Sequence, residues 1–336
     1  MNTVDAVAAF LFLGVTAYAL FAGADFGSGF WDLTAGGDRR GAPVRTLVDH
    51  SIGPVWEANH VWLIFVLVFL WTGFPRGFTA IATTASIPLA LALTGIVLRG
   101  AGFAFRKFAA TLSGARAFGV VFALSSVITP FFFGAIVGGI VSGRVPADGY
   151  GDRWTSWTGP TSMLGGTVAV LTCAYLAGVL LTADAERGGD GELAERLRRR
   201  VLVLAVLTGL VVTGGVIVLR DDAHTLFERL LGRAIWLVVL SGWAGTASVV
   251  ALVRRRYALA RVAAGAAVAS VVVGWGVAQY PWMLVDRLTL AGAAGAHATL
   301  VALLIVGAAA IVIVVPSLLW LFRLVNDTTW SGATPD

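Results

Sequence analysis

The chain has 336 residues, 58% of them hydrophobic and 13% charged, with a mean hydropathy of +0.85. An ordinary soluble globule needs about a quarter charged residues, so these figures exclude one. The formal charge of +5 and sequence pI near 10.0 do not point to nucleic acid, because almost all of the excess is arginine in short clusters between apolar runs, as membrane topology requires.

Apolar runs long enough to cross a bilayer fall at about 5–24, 54–73, 78–98, 117–141, 161–183, 201–219, 234–253, 258–279 and 297–322, nine in all. The spacing predicts helices, since stretches such as VLVLAVLTGLVVTGGVIVL lack the period of two that a membrane barrel strand needs. The N-terminal MNTVDAVAAF has no basic region ahead of its apolar run and reads as the first span rather than a leader. The expected fold is therefore an all-α integral membrane protein.

Loops after spans 1, 3, 5 and 7, with the tail, carry 17 Lys and Arg against 7 in the others. That bias predicts an outer N-terminus and a cytoplasmic C-terminus. The connections at about 25–53 and 142–160 are expected as loops, with Trp154, Trp157 and Trp282 in an outer aromatic belt. Asp184 to Arg200, rich in Asp, Glu, Arg and Gly, reads as a solvated linker. The expected organisation is a first four-helix unit (1–141) and a second (161–279), with a peripheral ninth helix (297–322) and a flexible tail (324–336), within one membrane domain. Spans 1 and 5 both carry Ala-Tyr (Tyr18, Tyr175) and end in Ala-Asp (Asp25, Asp184), a weak sign of a parallel repeat.

Chemistry concentrates in SIGPVWEANHVWLIF, Ser51 to Phe65. On a helix Glu57 and His60 share a face one turn apart, and Trp56 lies four residues before His60. Ionisable groups in an apolar span are costly and mark a functional site by default. The topology gathers Asp25 at the end of span 1, Glu57 near the start of span 2 and Arg99 at the end of span 3 toward one surface. A desolvated carboxylate there takes and releases protons near neutral pH, and an arginine pulls it back toward ionisation. The plainer alternatives are Asp25 as a solvated helix-end residue, Glu57 as a first-turn acid after Pro54, His60 bonded to a neighbour, and Arg99, Arg106 and Lys107 as positive anchors. Four histidines (His50, His60, His224 and His297) offer no facing mid-span pair, so an intrinsic bis-histidine haem is not expected. The single Cys173 excludes a disulfide framework and a cysteine metal site.

GADFGSGFWDL, then R-x4-SIGPVWEANHVWLIF from Arg45, LRGAGFAFR, AQYP at Gln279 to Pro281, and Pro316 together resemble subunit II of the cytochrome bd-type quinol oxidases, in order along nearly the whole chain. The resemblance implies two four-helix bundles plus one helix. It also implies a haem-free subunit paired with a subunit I that holds two b haems and a haem d, in a bacterial cytoplasmic membrane. Such a complex oxidises quinol and reduces dioxygen to water, taking protons from the cytoplasm without pumping. On this likeness Asp25 and Glu57 lie on the proton path, Trp62 lines an oxygen route or the subunit interface, and Arg99, Asn59, His60 and Trp56 support them. A quinone or lipid held structurally and a small single-helix accessory subunit belong to the same set of implications. The polar stretch some members carry before the last helix is here LAGAAGAHATL, which puts any site built there in doubt. Two rival functions are a proton-coupled secondary transporter using Asp25 and Glu57, and a haem-ligating electron carrier using His60.

Overall fold

The computed structural model describes residues 2–52 and 59–326. The described chain is helical apart from one small antiparallel hairpin. Helix α1 (Thr3–Leu33) is followed by α2 (Asp38–Ile52), α3 (Val61–Gly73), α4 (Pro75–Thr84), α5 (Ser86–Phe108) and α6 (Leu112–Val141). The short α7 (Thr155–Thr158) leads to α8 (Pro160–Arg187), α9 (Gly191–Asp222), α10 (His224–Leu231), α11 (Ile235–Val253) and α12 (Tyr257–Gln279). Strands β1 (Trp282–Leu284) and β2 (Leu288–Thr289), helix α13 (Leu290–Ala293) and helix α14 (His297–Asn326) complete the chain.

Among the described residues, eight helices are long and apolar enough to cross a membrane. A ninth crossing is counted if α3 and α4 form one span, although they bend by 114° at Phe74. Pro75 causes the break, because it has no N–H to continue the ladder of α3 and opens α4 at its first position instead. The apolar run expected to begin near residue 78 is divided separately at Ala85, and its long helix starts only at Ser86.

Three expectations are corrected. Residues 25–53 are not a loop: α1 runs two turns beyond Asp25 to Leu33, and α2 fills most of the remainder. Asp25 is therefore interior to its helix, and at 2% exposure it is not a solvated end residue. Asp184 to Arg200 is not a linker either. Helix α8 continues to Arg187, Asp190 caps α9 by accepting from Leu193 N at 2.9 Å, and Leu193, Ala194 and Leu197 are buried. The charges that suggest a linker are i, i+3 and i, i+4 helix pairs, Glu192 with Arg196 and Glu195 with Arg198 and Arg199.

Helix α8 packs closely on α1 because Gly27 lies against the backbone of Cys173, where a Cβ would overlap the carbonyl. Trp31, 1% exposed, donates from Nε1 to Ala174 O at 2.8 Å on the same seam. Farther along, the Tyr175 hydroxyl meets Ser248 Oγ at 2.7 Å, and Ser248 donates to Ala260 O, joining α8, α11 and α12. At one end of α8, Asp222 accepts from Thr161 N at 3.0 Å and Thr161 Oγ1 at 2.6 Å, and from both terminal nitrogens of Arg144. The carboxylate thus caps a helix N-terminus and ties α8 and α9 to the connection that follows α6.

Candidate functional site

Asp25 faces Arg99. Nη2 of Arg99 stands 2.5 Å from Asp25 Oδ1, with both side chains 1% exposed. Arg99 also donates from Nε to Ser126 Oγ at 3.0 Å, and Ser126 donates to Phe122 O at 2.6 Å. Arg99 comes from α5 and Ser126 from α6, which packs against both α1 and α5. Gly29 makes that approach possible: a Cβ there would run into Ser126. Two charges are held in an apolar interior only when paired and hydrogen-bonded, and this geometry meets that condition. Asp25 Oδ2 has no hydrogen-bond partner among the described residues.

A second rung lies two turns away. Asp32, 4% exposed, accepts from Arg106 Nη1 at 2.5 Å and from Arg45 Nε at 3.0 Å, and Arg106 also pairs with Asp49 of α2. Arg106, part-buried, thus clamps Asp32 of α1 to Asp49 of α2. Seven residues separate Asp25 from Asp32 and Arg99 from Arg106, about 10.5 Å along a helix axis. The rungs climb in the same order on α1 and α5, so these helices run parallel. Phe122 of α6 lies between the rungs, with the Arg99 and Arg106 guanidinium carbons 5.1 and 5.2 Å from its ring centroid. Arg99 also stands 5.1 Å from the Phe26 ring.

His60 adjoins the inner rung through aromatic contacts. Its ring centroid lies 6.1 Å from Phe26 and 6.4 Å from Tyr18, and it is half-buried. Asn59 is 5% exposed. Trp62, 7% exposed, stacks on Phe21 of α1 at 6.3 Å and meets Phe65 edge-on at 6.1 Å. Trp56 and Glu57 lie outside the described residues. Asp25, Arg99 and His60 are therefore brought into one neighbourhood, with Trp62 beside it on α3.

No group of three or more His, Cys, Asp or Glu is arranged to hold a metal ion among the described residues. His50, His224 and His297 occupy exposed positions, and His297 Nε2 lies 3.4 Å from Thr3 Oγ1.

The family described as "Cytochrome bd terminal oxidase subunit II" matches residues 4–325. The chain belongs to this family. A curated Bacillus subtilis (strain 168) relative, "Cytochrome bd ubiquinol oxidase subunit 2", is 28% identical over 167 residues, 49% of this chain and 48% of that protein. A second from the same organism, "Putative cytochrome bd menaquinol oxidase subunit II", is 21% identical over 218 residues, 62% of this chain and 60% of that protein. These matches span only about half to three-fifths of the relatives' length. The solved bd oxidase from Geobacillus thermodenitrificans superposes with a TM-score of 0.80 at 23% identity, covering 96% of this chain and 98% of the other, and it supports the fold alone.

For a bd-family subunit II, sequence reasoning found the inner rung but missed Asp32, Asp49, Phe122 and the burial of Arg106. One signal was present in the letters: acids and arginines both repeat at seven residues, a spacing that returns to the same helix face every two turns.

Proposed function

We propose that this chain is the haem-free subunit II of a quinol-oxidising, dioxygen-reducing terminal oxidase. It scaffolds a haem-bearing subunit I and supplies part of a cytoplasmic proton path. Family membership carries the first half of the reading. The second half rests on the Asp25–Arg99 pair, buried within an apolar helix beside His60. An ionisable pair in that position has a cost that packing alone does not require. Glu57 and Asp25 would both carry protons along that path, and Trp62 would line the oxygen route or the contact with subunit I.

The accompanying reading is a multi-pass protein of a bacterial cytoplasmic membrane with nine crossings, an outer N-terminus and a cytoplasmic C-terminus. Its units are 1–141 and 161–279, with 297–322 peripheral and 324–336 as a tail. The two b haems and haem d belong to the partner, and no proton pumping is involved. A small single-helix subunit and a structural quinone or lipid complete the proposed assembly.

Expression of the chain with and without its subunit I, followed by reduced-minus-oxidised spectra and quinol-driven oxygen uptake, tests the assembly. Haems and turnover should appear only when the partner co-purifies, and a Soret band from the isolated chain would overturn the haem-free assignment. Glu57→Gln should then slow oxygen consumption and proton uptake while leaving haem content intact. Unchanged turnover would remove Glu57 from the path. The sharp α3–α4 bend is the one feature that favours a transporter. Uptake of a solute driven by a proton gradient, with no haem in either preparation, would select that alternative.

A further inference from the structure

We propose that the cleft between the start of α2 and the first turns of α9 binds the phosphate of an anionic phospholipid, whose acyl chain lies along the exposed face of α9. Arg39, Arg40, Pro43, Glu192 and Arg196 line an open cleft of about 670 Å3. Three of its five lining residues are arginines. A guanidinium suits a phosphodiester because its planar fork donates two parallel hydrogen bonds. Glu192 does not neutralise the site: its contact with Arg196 is 3.2 Å long, with side-chain exposures of 89% and 40%, and such exposed pairs bind weakly.

The walls are held in place from behind. Arg200, one turn beyond Arg196, donates from Nη2 to Thr34 O at 2.9 Å and Thr34 Oγ1 at 2.8 Å, and lies over the Trp31 ring at 4.9 Å. Arg45 donates to Gly36 O at 2.8 Å, so the turn from α1 into α2 is bonded on both sides of the cleft. Both arginines are engaged there, and the cleft leaves Arg39 and Arg40, with Arg196 held only by its weak pair with Glu192, to meet a ligand.

The apolar part separates a lipid from free phosphate. On α9, Arg196 is followed at steps of seven, eleven and fourteen by Val203, Leu207 and Leu210, which fall on the same helix face. These three are 62%, 49% and 65% exposed. Leu193, Leu197, Val201 and Leu204, about a quarter-turn round the helix, are buried in the protein. A basic head above an apolar stripe on one helix has the shape and polarity of an anionic phospholipid. Basic pockets beside membrane helices bind such headgroups, with each arginine near the surface contributing about a factor of five in affinity. Nothing in this inference rests on the oxidase reading.

The test is native mass spectrometry of the full chain, purified with whatever subunits accompany it and titrated with phosphatidylglycerol or phosphatidylcholine. Phosphatidylglycerol should bind more tightly. The triple variant Arg39→Gln, Arg40→Gln, Arg196→Gln should weaken it on the order of a hundredfold, and the matching triple lysine variant, which keeps the charge but loses the fork, should weaken it less. Should the triple glutamine variant fail to fold, Arg40→Gln alone gives the same comparison at about fivefold. Equal affinity of wild type and glutamine variants would overturn the site. Displacement of the lipid by inorganic phosphate, or undiminished binding in Leu207→Gln with Leu210→Gln, would overturn the lipid assignment in favour of a free-phosphate site.

Discussion

Arg99 reaches from α5 to place Nη2 2.5 Å from Asp25 Oδ1 on α1, and neither side chain exposes more than 1% of its surface. Each charge is tolerated because of the other. Arg99→Gln should destabilise the protein by about 3–5 kcal/mol, since it leaves a buried carboxylate uncompensated. Asp25→Asn with Arg99→Gln should be less damaging than the sum of the single changes. Thermal unfolding in one detergent across the four proteins measures this coupling, and strict additivity would show that the pair does not interact.

Phe122 joins the two rungs. Phe122→Leu keeps an apolar side chain of similar reach but removes the ring over which both guanidiniums sit. Desolvated cation–π contacts are worth about 2 kcal/mol each, so a loss of about 2–4 kcal/mol is expected. A melting shift no larger than that of Phe118→Leu, on a less buried turn of α6, would indicate that the ring serves packing alone.

Close helix approach depends on particular glycines. Gly27→Ala would drive a methyl group into the Cys173 carbonyl, and backbone cannot move aside as a side-chain tip can. Overpacking of this kind costs about 1–3 kcal/mol, and here the upper end is expected. Gly209→Ala meets nothing within 4 Å and should be neutral or slightly stabilising. Unfolding midpoints of the two variants should therefore move in opposite directions or differ sharply.

Before α7, Asp152 accepts from Trp154 N at 2.9 Å, Thr155 N at 2.7 Å and Thr155 Oγ1 at 3.0 Å. The Thr155 and Trp154 amides, in that order, hold its carboxyl below the usual aspartate range. A depressed value gives stability that is present above the unfolded-state value, near pH 4, and lost as pH falls through the folded one. The protection of the Trp154 and Thr155 amides, measured as exchange relative to the intrinsic rate at each pH, should therefore fall at acid pH ahead of that of the membrane helices. Asp152→Asn should show the reduced protection already at neutral pH.

The long apolar runs were legible because a crossing helix needs a length of hydrocarbon that few other structures need. Their ends were not. Residues 26–33 and 191–200 are helical, yet they carry charge and glycine, so hydropathy alone terminates the run too soon. Asp25 was expected at a mouth for that reason, and its depth follows only once α1 is seen to continue. Arg99 and Arg106 look alike in sequence to surface anchors. Their burial is decided by partners on α1, more than seventy positions away, and by Gly29, which admits α6. The break at Phe74 was marked by Pro75, but a proline alone does not give the angle of the turn.

The equal seven-residue interval on α1 and α5 also limits how these helices can move. Sliding one past the other by a single turn, about 5.4 Å, would part Asp25 from Arg99 and Asp32 from Arg106 in the same stroke, because neither rung has another acid or arginine one turn away to receive it. The two pairs act as dowels through one joint. A working stroke in this subunit is therefore left to elements outside the joint, and the α3–α4 elbow is the place where the chain is already bent.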